Sequence, residues 1–285
     1  MKNATFFVLQ GPEGTPADLS PIVDAAEANN GRLSVLHVGA VPIMTYAVAA
    51  TPYAAPIIPE GWLDQRNEMS KLLTRKQEEM RAYLTRESLT GEVATLCAEP
   101  TALHDFVGVR SLFADFSIVQ NSLRDDETAF NDIVYGVLFK GPGPLMLNVE
   151  KGSKALAPEN VLIAWDNSLP AAQAVRAALP LLKAAKEVTI ASFDADLSRW
   201  GDGENPGADL ATWLSHHGCT VTVQEYVTGS KSVADAILFR AKETTADLVV
   251  MGAYGRSRWN ERLFGGTTET MIEQQECAVL MSHKG

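Results

Sequence analysis

The chain has three cysteines in 285 residues, Cys97, Cys219 and Cys277, and no two stand in a Cys-x-x-Cys pair. So few and so scattered, they exclude a disulfide framework and a structural zinc site, and suit a reducing compartment as small buried hydrophobes. The five histidines form no HxH or HxxxH spacing, and His216-His217 reads as the end of a helix. Positive charge is also scarce. No basic run exceeds two residues and the net charge is −11, so neither nucleic acid nor an anionic membrane surface is expected as a partner. No uninterrupted apolar run is long enough to cross a bilayer. The longest weakly polar stretch, residues 38–62, carries four prolines, and the start MKNATFFVLQG lacks the apolar core of a signal peptide. A cytoplasmic protein is expected.

The chemical motifs that are missing narrow the reading further. There is no GxxxxGK[ST] P-loop and no GxGxxG after a first strand. No nucleophile–base pair can be argued either. Asp166-x-Ser168 at a strand end reads as a helix N-cap, and Ser230-Lys231 sits in a Gly-Ser turn without a placed oxyanion hole. An enzyme is not expected, beyond weak ATP hydrolysis at most.

What is present is a strand–helix alternation written twice. In the second half "NVLIAWDNS", "EVTIASF", "CTVTVQEYV", "DLVVMG" and "CAVLMSH" read as strands, separated by segments apolar at helical spacing. The first half offers "TFFVLQG", "RLSVLHV", "EVATLCAEP", "DFSIVQNS" and "PLMLNV", with a long helix across 65–89. Such alternation predicts parallel strands joined by crossover helices. The expected fold is α/β: two tandem doubly wound domains, each an open five-stranded mostly parallel sheet flanked by helices, at 1–150 and 157–285. The best correspondence sets Ala114-Asp115 against Ala246-Asp247, with β1 of the first copy ending near Gln10 where the second ends in Asp166. Both copies close on an apolar strand.

The copies differ where a ligand would sit. "DLVVMGAYGRSRWNERLFGGTT" leaves the fourth strand of the second copy with Gly252, Gly255 and Gly265, whereas the first copy has Gln120 and Leu123 at the first two of those places. Glycines let main-chain N–H groups approach a phosphate, and a following helix N-terminus adds donors and positive potential. In an open parallel sheet the ligand crevice lies outside the carboxyl ends of the strands. Arg256, Arg258 and Arg262 could supply positive charge, and Asp166 lies on the same edge. The first copy carries 11 basic against 19 acidic residues, a net −8; the remainder carries 13 against 16, a net −3. The first copy is the poorer anion binder.

With these residues the second copy resembles a universal stress protein domain, whose nucleotide-binding members carry Gly-x2-Gly-x9-Gly-Ser/Thr after the fourth strand. Gly252, Gly255 and Gly265 stand at that spacing, and "IAWDNS", "EYVTGSKSVADAIL" and "CAVLMSH" agree around them. The first copy follows by strand order. The resemblance implies ATP, with or without Mg2+, in the second copy: Met251, Gly252, Gly255, Arg256, Gly265, Gly266, Thr267 and Thr268 along the phosphate loop, Asp166 facing ribose or metal, and backbone near Phe193 facing adenine. One departure stands out, because Gly266 occupies the Ser/Thr place, with Thr267 and Thr268 just after it. The likeness also implies pairing of the two copies through their last strands, and allows a homodimer. Two readings stay open beside a nucleotide-dependent stress-response regulator: a scaffold built as an internal pseudo-dimer for a protein partner, and a slow ATPase. Residues 38–62, a Pro-rich loop with Tyr46, Tyr53 and Trp62, read as a lid or interface or as packing against the chain itself.

Overall fold

A computed structural model describes residues 1–44, 60–195, 206–253 and 266–283. Ten strands form one sheet in the order β3-β2-β1-β4-β5-β10-β9-β6-β7-β8. In the first half these are β1 (Thr5–Gln10), β2 (Arg32–Ala40), β3 (Gly91–Ala98), β4 (Phe116–Val119) and β5 (Leu145–Leu147). In the second they are β6 (Asn160–Trp165), β7 (Glu187–Phe193), β8 (Val221–Tyr226), β9 (Leu248–Gly252) and β10 (Val279–Ser282). All neighbours within a half are parallel. The α/β expectation therefore holds, with the two halves fused into one continuous sheet.

The fusion is the antiparallel pair β5–β10, with Leu147 opposite Val279, Met146 opposite Leu280 and Leu145 opposite Met281. Exchanging the halves maps this register onto itself, which is the geometry of a two-fold interface. All six of these side chains are fully buried. Strands such as "FFVL" and "VLIA" are apolar on both faces because helices cover both faces.

Helices α1 (Ser20–Asn29), α2 (Glu60–Arg86), α5 (Leu169–Leu182) and α6 (Ala208–His216) cover one face. Helices α3 (Leu103–Arg110), α4 (Glu127–Lys140), α7 (Val233–Glu243) and α8 (Gly266–Glu273) cover the other. Each of the two cores runs through both halves: Met146 and Leu280 belong to the first, Leu145, Leu147, Val279 and Met281 to the second.

Two aspartates fix the internal repeat at atomic level. Asp115 Oδ2 accepts from Thr5 N at 2.7 Å, and Asp115 N donates to Thr5 O at 2.9 Å. Asp247 does the same for Asn160, at 3.1 Å and 2.9 Å, and also accepts from Glu159 N at 2.8 Å. Thr5 and Asn160 are thus equivalent, so Gln10 answers to Trp165 and Gly11 to Asp166. The first copy's strand ends at Gln10, and the residue that answers to Asp166 is the next one, Gly11; a run apolar on both faces carries no period to set that register.

Candidate functional site

The carboxyl ends of β9, β6 and β7 lie side by side. Ala164 is opposite Met251 and Trp165 opposite Ser192, so Gly252, Asp166 and Phe193 stand along one edge. Asp166 follows β6, is exposed, and Oδ1 accepts from Ser168 N at 3.1 Å. Asn167 between them takes a left-handed φ of 59°, a turn that Asn tolerates. Ser168 is the N-cap of α5, its Oγ accepting from Ala171 N at 3.2 Å, as the sequence suggests.

Phe193 ends β7 and stacks on Tyr226 of β8 with ring centroids 5.6 Å apart. The next residue, Asp194, was not singled out by sequence. Its carboxylate accepts from Thr228 N at 3.0 Å and from the Thr228 hydroxyl, and these bonds hold it below the usual carboxylate range. Two exposed carboxylates, Asp166 and Asp194, therefore stand on the β6–β7 side of the edge. That side suits hydroxyls or a cation.

On the β9 side the structure divides the predicted loop residues. Met251 is buried in β9 among the apolar side chains of the α7–α8 face. Gly252 has a packing reason of its own. A Cβ on it would lie 2.5 Å from Ala171 N and 2.9 Å from Pro170 C, in the first turn of α5. Gly255, Arg256 and Gly265, with Arg258 and Arg262, fall in 254–265, outside the described residues, as does 45–59 of the Pro-rich loop. Gly266 begins α8, exposed, and among the described residues a Cβ there would meet nothing within 4 Å. Thr267 is half-buried and Thr268 buried in the same first turn. Among the described residues the start of α8 is open at Gly266, whereas the space beside Gly252 is already filled by α5.

The same edge of the first half is closed. A Cβ on Gly11 would run into Ser122 O, because the turn Asn121–Leu123 after β4 folds directly onto it. Gly11 N also donates to Ser122 Oγ at 2.9 Å. Beside it His37 of β2, Gln10 of β1 and Gln120, the residue after β4, form a row, each at most 1% exposed. Gln10 Nε2 donates to Thr15 O at 2.8 Å and Gln120 Nε2 to Val149 O at 3.0 Å. Burial, reinforced by the nearby Lys76 charge, pushes His37 down to about 4, so its ring is neutral near pH 7.

Sequence reasoning also missed a contact from the first half onto α8. Arg124, just past that same turn, donates to carbonyls at the end of α8, 148 residues further on. No sequence period signals an arginine in a turn whose acceptors are main-chain oxygens.

The universal stress protein family model matches residues 158–283. A universal stress protein from Archaeoglobus fulgidus DSM 4304 has a similar structure: it covers 100% of this chain and 97% of its own, with a TM-score of 0.68 at 16% identity. A functionally unknown protein from Pseudomonas aeruginosa PAO1 covers 98% of this chain and 92% of its own, with a TM-score of 0.56 and 16% identity. At these identities the likeness is one of fold. No curated protein matches the chain in sequence.

Proposed function

Through residues 158–283 the chain belongs to the universal stress protein family, and from that premise we propose that its second half binds an adenine nucleotide, ATP foremost, as a stress-response regulator or adaptor. The observation that carries this reading is the first turn of α8 at the carboxyl edge of the sheet, where no atom of the described residues lies within 4 Å of a Cβ on Gly266. Main-chain donors and the positive end of the helix favour a phosphate there. Gly266, Thr267 and Thr268 would meet it, joined by Gly255, Arg256 and Gly265 of the loop. Asp166 would face the ribose or a magnesium ion, and the end of β7 at Phe193 would face adenine. Magnesium, when bound, would offset charge between phosphates and protein. Among the described residues no side chain at this edge is identified as the group that positions a hydrolytic water, and turnover of ATP would be slow at most.

The first half would act as a partner domain rather than as a second site, because its edge is closed at Gly11 and Ser122. A second reading, a nucleotide-free scaffold, draws on Gly252: its missing side chain is accounted for by α5 without any ligand. Urea unfolding with and without Mg-ATP separates the two. Ligand at about 100 times its dissociation constant adds roughly 2.7 kcal/mol to stability; no shift with any adenine nucleotide, and none released on denaturing the purified protein, leaves the scaffold.

A further inference from the structure

Helix α8 starts at the candidate phosphate site and ends against the other half of the chain. At that end the Arg124 guanidinium serves three carbonyls in succession. Nη1 donates to Ile272 O at 2.9 Å and to Glu273 O at 3.4 Å, and Nη2 to Gln274 O at 3.4 Å. Nη2 also donates to Asn148 Oδ1 at 3.1 Å, and Nε to Asn121 Oδ1 at 2.9 Å. The Asn148 amide completes the clamp by donating to Gln274 O and Cys277 O, each at 2.9 Å. The guanidinium lies over the Phe130 ring, 4.4 Å from its centroid.

Chemically this is a C-terminal cap supplied from outside. A helix leaves its last carbonyls without intrahelical donors, and a cation there complements the negative end of its dipole. The planar guanidinium fork can serve several acceptors at fixed angles, which an ammonium cannot. Asn148 reaches its carbonyls from a left-handed backbone, φ 60°, directly after β5.

We propose that Arg124 and Asn148 are positioning residues for the site in the opposite half. The first half, which has no glycine loop of its own, fixes the last turn of α8 so that the first turn keeps its amides aimed at the phosphates. Eight residues of helix span about 12 Å, and the buried Met271 and Ile272 lie at the end whose carbonyls Arg124 holds. Such a short rod does not bend, so loosening one end tilts the other. A preorganised set of donors then becomes one that must be ordered at the moment of binding, and affinity falls.

The inference rests on the nucleotide reading, and its test keeps the two apart. Full-length wild type and Arg124→Gln are titrated calorimetrically with ATP and with adenosine. Wild type binds both; Arg124→Gln binds ATP about tenfold more weakly and adenosine within twofold of wild type, because only the phosphates meet α8. General loosening of the fold would instead weaken both ligands alike. Arg124→Lys recovers only part of the loss. Should Arg124→Gln fail to fold, Asn148→Gly keeps the left-handed backbone and shows the same split at about threefold. A folded Arg124→Gln that binds ATP like wild type overturns the positioning role alone. Wild type binding neither ligand overturns the nucleotide reading, and this inference with it.

Discussion

Replacing Gly252 by alanine separates a glycine kept for packing from one kept for a ligand. The added Cβ would stand 2.5 Å from Ala171 N, 2.9 Å from Pro170 C and 3.0 Å from Pro170 Cβ. Ordinary carbon contacts lie near 3.5–4.0 Å, so the helix must retreat by about 1 Å. The obstructing atoms are mostly main chain, and no rotamer change relieves them. Nor is α5 free to slide, because Ser168 caps its start and Ala174, Val175, Ala178, Leu181 and Leu182 are buried along it. Overpacking of this kind costs roughly 1–3 kcal/mol. Against it stands the reduced freedom of the unfolded chain on replacing glycine, about 0.4–1 kcal/mol in favour of the variant. A net loss of about 1–2 kcal/mol follows. Urea unfolding reads it directly: with a slope of roughly 2 kcal/mol per molar, the midpoint drops by about 0.5–1 M. An unchanged or raised midpoint refutes the argument. The consequence for function is practical, since weakened nucleotide binding in Gly252→Ala would report a displaced α5 rather than a lost phosphate contact.

Three further outcomes follow from the same geometry. Gly266→Ala brings its Cβ within 4 Å of none of the described residues, and alanine is the better helix former by up to about 1 kcal/mol, so thermal unfolding should show equal or higher stability; a marked loss would mean that α8 begins otherwise. Asp247→Ala strips acceptors from Glu159 N and Asn160 N and should cost about 1–3 kcal/mol, whereas a loss under 0.5 kcal/mol in a denaturant titration would remove Asp247 as the pin of β6. His37 ionises near 4 in the folded chain and near 6.5 when unfolded. Below pH 6.5 the unfolded state takes up a proton that the folded state refuses, so stability falls between pH 6.5 and 4 by roughly 3 kcal/mol and then levels. His37→Leu should lack this step when the two pH profiles are subtracted, and parallel profiles would contradict it.

Much of the fold was legible because the strands are short apolar runs at regular intervals, and only a parallel sheet covered on both faces hides such runs. "DLVVMG" and "EVTIASF" become β9 and β7 with few changes at their ends. Register was less legible: Gln10 and Gly11 cannot be told apart as partners of Asp166 until the Asp115 and Asp247 hydrogen bonds are seen. The glycine spacing merges two causes, since Gly252 answers to the main chain of α5 while Gly266 meets nothing within 4 Å among the described residues. Arg124 stayed hidden because its partners are carbonyls, which every residue possesses. Asp194 carries no sequence signal because its role depends on Thr228, on a neighbouring strand connection.

The claim at the centre is that bare main chain at the first turn of α8 receives phosphate. Calorimetric ATP affinity of Gly266→Asp against wild type tests it most directly, because the two effects of this carboxylate have opposite sign. It complements the helix dipole, worth about 0.3–1 kcal/mol of added stability, and it repels an incoming phosphate. The account predicts a chain at least as stable as wild type that binds ATP tenfold or more weakly while binding adenosine as before; undiminished ATP affinity in Gly266→Asp would contradict it.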